Sequence, residues 1–272
     1  MSVRFAAVAG QFYPADAGEL AGEIRQLLAL AAAAQQAHID LPRAIIVPHA
    51  GYIYSGLTAA FAYQLIRGAS FSRVVLFGPA HRVGFYGMAV PEDSRFQTPL
   101  GEVVIHAKGV AQALEHKDVH SSDIAHAQEH ALEVQLPFLQ SVLDDFELVP
   151  ICVGMIEPQP VAEVMAPFLN AEDTLVVVSS DLSHFHDYQS AKMIDAATID
   201  MISVHKALIN HEQACGATAI NALLLLAEEY RLQPTLLDYR NSGAGVGDKS
   251  RVVGYASMAW LEQERVYERF TK

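Results

Sequence analysis

The chain alternates short, unbroken apolar runs with longer amphipathic stretches. Four runs, Ala44-Ile45-Ile46-Val47, Val74-Val75-Leu76-Phe77, Leu148 to Val153 and Leu175-Val176-Val177-Val178, are continuous rather than alternating, the pattern of strands covered on both faces. Helical periodicity falls between them, over Ser55 to Arg67, Glu129 to Leu143, Val161 to Leu169, Gln189 to Val204 and Asn221 to Tyr230. Strands interleaved with helices predict an α/β sheet with helices on both faces. The span from Tyr86 to His106 breaks the rhythm with Pro91 and Pro99-Leu100-Gly101, and it reads as a β-hairpin or excursion. Two late strands, Thr235 to Tyr239 and Val252 to Trp260, flank Asn241 to Asp248, whose three glycines suit either a loop beside a site or a flexible connection. No repeat and no Pro/Gly/Ser tract divides the chain, so one domain over residues 1–272 is the simplest organisation.

Charge removes several function classes. Eighteen Lys and Arg against 31 Asp and Glu give a net charge of −13, which argues against nucleic acid and against an anionic membrane surface. Met1 to Phe5 shows no targeting pattern and the apolar Leu27 to Ala34 stretch is too short to span a bilayer, so a cytoplasmic location is expected. Twelve histidines stand against two cysteines, Cys152 and Cys215. Two thiols make neither a disulfide framework nor a four-thiolate zinc site, so metal or acid–base chemistry would draw on His, Asp and Glu.

Three of the apolar runs end in a turn that carries such residues: Val47-Pro48-His49-Ala50-Gly51-Tyr52, Phe77-Gly78-Pro79-Ala80-His81 and Val178-Ser179-Ser180-Asp181-Leu182-Ser183-His184. In open α/β sheets ligands bind beyond the carboxyl ends of the strands, so these turns would converge if the strands are neighbours. A lone strand-end histidine is usually structural, and Asp181 could be a helix N-cap. Taken together, His49, His81, Asp181 and His184 favour a shared site, since imidazole and carboxylate suit Fe, Zn or Cu. His130 and Glu133, three apart in Glu129-His130-Ala131-Leu132-Glu133, fall on one helix face and form a further catalytic candidate. The alternative there is an amphipathic helix start with Glu129 favoured by the helix dipole. His106, His116, His120, His126, His186, His205 and His211 lie in polar contexts and are expected at the surface. Cys152, inside an apolar strand, reads as inert core, and burial outweighs activation for Cys215. No nucleophile elbow, Walker loop or dinucleotide fingerprint occurs.

Gly10-Gln11-Phe12-Tyr13-Pro14, Pro48-His49-Ala50-Gly51-Tyr52-Ile53-Tyr54-Ser55-Gly56, Gly78-Pro79-Ala80-His81, Glu129 to Pro137, Ser179 to His184 and Cys215-Gly216 together resemble the Memo-like family, known also as protein B of the AmmeMemoRadiSam system. The resemblance runs from about residue 7 to about residue 260. It implies a three-layer α/β/α fold like that of class III extradiol dioxygenases, where two histidines and a carboxylate hold non-haem Fe(II) and another histidine is the acid–base catalyst. Carried onto this chain, it makes His49 and His81 metal ligands and Asp181 a site aspartate. His184 falls at the acid–base position and is a further candidate ligand. Relatives place a cysteine or glutamate in the late loop; Asn241 to Asp248 has neither, and Asp248 is the one carboxylate on offer for a third ligand. The resemblance further implies a divalent metal, Fe(II) first with Zn or Cu as alternatives, and association with an AMMECR-like protein and a radical SAM protein. The expected function is that of a metal-dependent, dioxygenase-like oxidoreductase acting on a small molecule. The competing readings are a non-catalytic metal-binding scaffold that holds a peptide or partner in the same cleft, and a metal hydrolase.

Overall fold

The four apolar runs form adjoining parallel strands in the order Ala44–Val47, Thr174–Ser179, Arg73–Pro79 and Glu147–Val153. They are the centre of a computed structural model that describes residues 2–35, 39–244 and 248–263. Alternate residues of each strand enter different cores. Ile45, Val47, Val74, Leu76, Leu175 and Val177 pack with the helices Ala17–Ala34, Tyr52–Leu65 and Leu136–Val142. Ala44, Ile46, Val75, Phe77, Val176 and Val178 pack with Pro158–Leu169, Tyr188–Ser203 and Ala217–Glu229. Both faces of every central strand are therefore buried, which is why the apolar runs are continuous. The result is a three-layer α/β/α arrangement.

Antiparallel strands extend the sheet. Val252–Glu262 lies beside Ala44–Val47 and pairs outward with Leu232–Asn241 and His184–His186. At the other end Met88–Val90 runs antiparallel to Glu147–Val153 and pairs with Val119–Ser121. The span from Tyr86 to His106 thus divides: Met88–Val90 joins the large sheet, while Arg95–Thr98 and Gly101–Val104 form a hairpin in a small sheet with Val3–Arg4. The helix expected over Glu129 to Leu143 is two helices, His130–Glu133 and Leu136–Val142. Pro137 is the cause, since it has no N–H to continue the first helix and fits the first turn of a new one. The helix Ala17–Ala34 begins at Asp16, whose Oδ1 accepts from the Gly18 and Glu19 N–H groups at 2.8 and 2.9 Å. No helix follows Asp181, where the chain continues extended into His184–His186, so its N-cap reading falls. Among the described residues no helix is long and apolar enough to cross a membrane.

His126 departs from its expected surface position, being 1 % exposed. Its Nε2 lies 3.0 Å from the Ala89 carbonyl, an acceptor, so Nε2 carries the proton; Nδ1 is buried without a hydrogen-bond partner. Burial holds the imidazole down to about 4. Between pH 6.5 and about 4 the unfolded chain therefore binds a proton at His126 that the folded one does not, and stability falls as pH falls. This one group should contribute a slope of about 1.4 kcal/mol per pH unit. Urea unfolding of metal-free protein across that window checks this, and His126→Gln should flatten the slope by one proton. An unchanged slope would show that His126 titrates normally.

Candidate metal centre

Because Ala44–Val47, Thr174–Ser179 and Arg73–Pro79 are neighbours, the turns at their carboxyl ends meet. His49 and His81 come from two of these turns. The third participant is His130, carried in by the one-turn helix His130–Glu133, which packs on Arg73–Pro79. One ring nitrogen from each of His49, His81 and His130 lies within 4.8 Å of the others. Ring centroids are 5.1 Å apart for His49 and His81, 5.5 Å for His49 and His130, and 4.7 Å for His81 and His130. The approach of the helix depends on Gly78, where a Cβ would sit 2.8 Å from Leu132 Cδ2 and 3.3 Å from Ala131 Cβ.

Hydrogen bonds fix which nitrogens face inward. His49 Nδ1 is 2.8 Å from Ser179 Oγ, and that hydroxyl already donates to the Ala131 carbonyl at 2.6 Å while accepting from Gln135 Nε2. Ser179 can only accept from His49, so His49 Nδ1 is protonated and Nε2 offers its lone pair. His81 Nδ1 lies 2.9 Å from Glu129 Oε1, a carboxylate that also accepts from the His81 and Ala131 N–H groups. Its Nε2 is likewise left as a lone pair. This carboxylate–histidine arrangement is the one that orients ligands in metal sites. His130 Nδ1 is 3.3 Å from Glu129 Oε1 but misaligned, and it is buried without a hydrogen-bond partner.

The electrostatics keep the cluster ready for a cation. Burial, with the charge of His81, holds His49 down to about 3, and burial, with the charge of His49, does the same for His130. Burial would raise Glu129, but the hydrogen bond from His81 and the backbone donors bring it down to about 2. At neutral pH the site therefore combines neutral imidazoles at His49 and His130 with an ionised Glu129 carboxylate, protonation states that metal ligation requires.

Asp181 is buried beside the cluster, with Oδ1 accepting from the His49 N–H at 2.7 Å, and desolvation raises its carboxyl to about 6. Cys215 was not expected in the site, yet its Sγ is 3.3 Å from His49 Nε2 and accepts from the Asp181 N–H at 3.3 Å. Desolvation and the charge of Asp181 push the thiol up to about 12. Gly216 permits this approach, since a Cβ there would lie 2.7 Å from Ser180 Cβ and 2.9 Å from the Ser179 carbonyl. The Cys215-Gly216 pair was the available sequence signal.

His184 is half-buried and stands outside the three-histidine group, although its charge acts on His49 and Asp181. Glu133 points elsewhere. It is fully buried, with Oε1 accepting from the Val8 N–H and the Tyr13 hydroxyl, and Oε2 from the Ala7 N–H and Arg4 Nη1. Four donors fill its lone pairs, so Glu133 anchors the N-terminal segment and offers the cleft no oxygen. Asp248 is exposed and accepts from the Ser250 N–H and hydroxyl at 2.8 and 3.0 Å. Gly245 to Gly247 of the same loop lie outside the described residues. Cys152 is core, as expected, and burial raises its thiol.

The chain matches a known family over most of its length. The family model described as "Memo-like protein" matches residues 4–259. A MEMO1 family protein of Archaeoglobus fulgidus is 35% identical over 270 residues, covering 95% of this chain and 99% of that protein. Another from Aquifex aeolicus is 35% identical over 275 residues, covering 96% of this chain and all of that protein. A third, from Methanosarcina mazei, is 33% identical over 272 residues, covering 95% and 99%.

Proposed function

This chain belongs to the Memo-like protein family, and from that premise we propose that it is a non-haem metal-dependent oxidoreductase of the dioxygenase-like kind, with His49, His81 and His130 as its metal ligands. One observation carries the reading: three imidazoles meet within 4.8 Å, and Ser179 and Glu129 aim the Nε2 lone pairs of His49 and His81 inward. Imidazole donors suit Fe, Zn and Cu. Cys215 would offer a bound cation an anionic donor on losing its proton, in place of the cysteine or glutamate that Asn241 to Asp248 lacks, which keeps Fe(II) the leading candidate. The bound ion would supply Lewis-acid and redox chemistry to a molecule in the cleft.

The remaining groups divide the proton work. His184, half-buried and near enough for its charge to act on His49 and Asp181, takes or gives the proton that a substrate hydroxyl loses or gains. Asp181 holds the His49 backbone and orients a ligand or water beside it. The AMMECR-like and radical SAM proteins implied by the family's system name are proposed partners in a modification pathway. A scaffold that bound no metal would gain nothing from the aiming of His81 by Glu129.

Oxygen uptake by iron-loaded protein across a panel of catechols tests the reading. Uptake is expected with at least one of them, and His184→Ala should slow it by roughly 10²- to 10⁴-fold without lowering the iron content. Iron-loaded protein that takes up no oxygen with any of them would overturn ring cleavage and leave the scaffold alternative standing.

A further inference from the structure

Beside the cluster lies a cavity of about 330 Å³, at the small end of the range of roughly 300–1,000 Å³ that small-molecule sites occupy. His81 and Cys215 both line it, together with Phe85, Met155, Ile156 and His211. No Lys, Arg, Asp or Glu lines it; Arg82, next to His81 in the chain, is exposed and is not among the lining residues.

Several backbone donors of the wall are already engaged. The backbone N–H groups of Ala80, Gly154 and Met155 donate to the carbonyls of Val153, Gly87 and Phe85, each at 2.9 Å. His211 uses both nitrogens within the protein. Its Nδ1 is 3.2 Å from the Cys215 carbonyl, which can only accept, and its Nε2 is 3.2 Å from Thr218 Oγ1. His211 therefore presents a ring surface rather than a free polar atom.

The aromatic side of the cavity is held in place. A Cβ on Gly154 would lie 2.5 Å from the Phe85 carbonyl oxygen and 2.8 Å from two of its ring carbons. The Phe85 ring thus rests directly on the Gly154 backbone and approaches His120 edge-on at 5.3 Å. A wall of this kind favours a flat apolar body. A carboxylate or phosphate placed along it would lose its hydration and meet no cation.

We propose that this cavity is the substrate pocket of the histidine site and that it takes a small, uncharged, largely apolar and planar molecule, with its single polar end at His81 and Cys215. The proposal rests on the metal-centre reading only for what that polar end meets. It assigns Phe85 and Met155 to substrate selection.

The test uses full-length protein carrying ¹³C-methyl methionine, with the Met155 resonance assigned by Met155→Leu. Met155 is 63% exposed, so this substitution should leave the fold intact. The probes are 4-ethylphenol and 4-hydroxyphenylacetate, which share a phenol head and differ in a methyl against a carboxylate. Both are titrated into metal-free and into zinc-treated protein. The expected result is a saturable shift of the Met155 methyl with a Kd at least tenfold lower for 4-ethylphenol, as is typical of rejecting an unpaired buried charge. Equal affinities, tighter binding of the carboxylate, or a Met155 signal unmoved by both probes in both forms would overturn the pocket. Zinc that leaves the histidine ring nitrogens unperturbed would overturn the metal reading instead, and the metal-free titration would still decide the pocket.

Discussion

Alanine at His130 is expected to strip the protein of metal as thoroughly as alanine at His49 or His81, from about one ion per chain to about a tenth or less. The three rings share one focus, and losing any of them leaves two imidazoles and a thiol whose proton is held by burial. Alanine at His184 should leave most of the metal bound, because that ring stands outside the group. Elemental analysis of anaerobically purified proteins measures both. Full retention of metal by His130→Ala would remove it from the ligand set, and loss by His184→Ala would put that histidine there, as the sequence alone allows.

The second large effect concerns stability. Glu133→Ala should destabilise the fold by about 3–5 kcal/mol, the cost of leaving a buried charge without its partner. Arg4 is 4% exposed, and its guanidinium also donates to the His126 and Glu129 carbonyls at 3.0 and 2.8 Å, so it has no route to water. The Ala7 and Val8 N–H groups and the Tyr13 hydroxyl lose their acceptor in the same step. For a chain of this size the melting temperature should drop by roughly 5–9 degrees. Glu133→Gln, which keeps the shape and part of the hydrogen bonding, should fall between. A Glu133→Ala protein with unchanged urea midpoint and lost activity would return Glu133 to the catalytic candidates.

The sheet was legible because its chemistry is local: a strand buried on both faces must be apolar at every position, and Ile45 and Ile46 satisfy opposite cores. His49 and His81 were legible for a related reason, since neighbouring strands deliver their final turns to one place. His130 and Glu133 show where local rules stop. The spacing of three residues places side chains on one face of a regular helix, but this helix is a single turn, and its two ends are claimed by different partners. Cys215 was harder still, because its contact with His49 spans 166 positions, and the Cys215-Gly216 pair does not by itself say where the fold delivers the thiol. Polar neighbours made His126 look exposed, and only the packing of Asp123–Ala127 under Met88–Val90 buries it.

His130 follows the helical layer that includes Ala17–Ala34, while Cys215 directly precedes Ala217–Glu229 on the opposite face, and His49 and His81 belong to the sheet between them. An ion held by all of these would act as a clasp, fastening both outer layers to the sheet at one point along its edge. Losing the ion would then be felt as a loosening on both sides of the molecule, well away from the cleft where the ion sits.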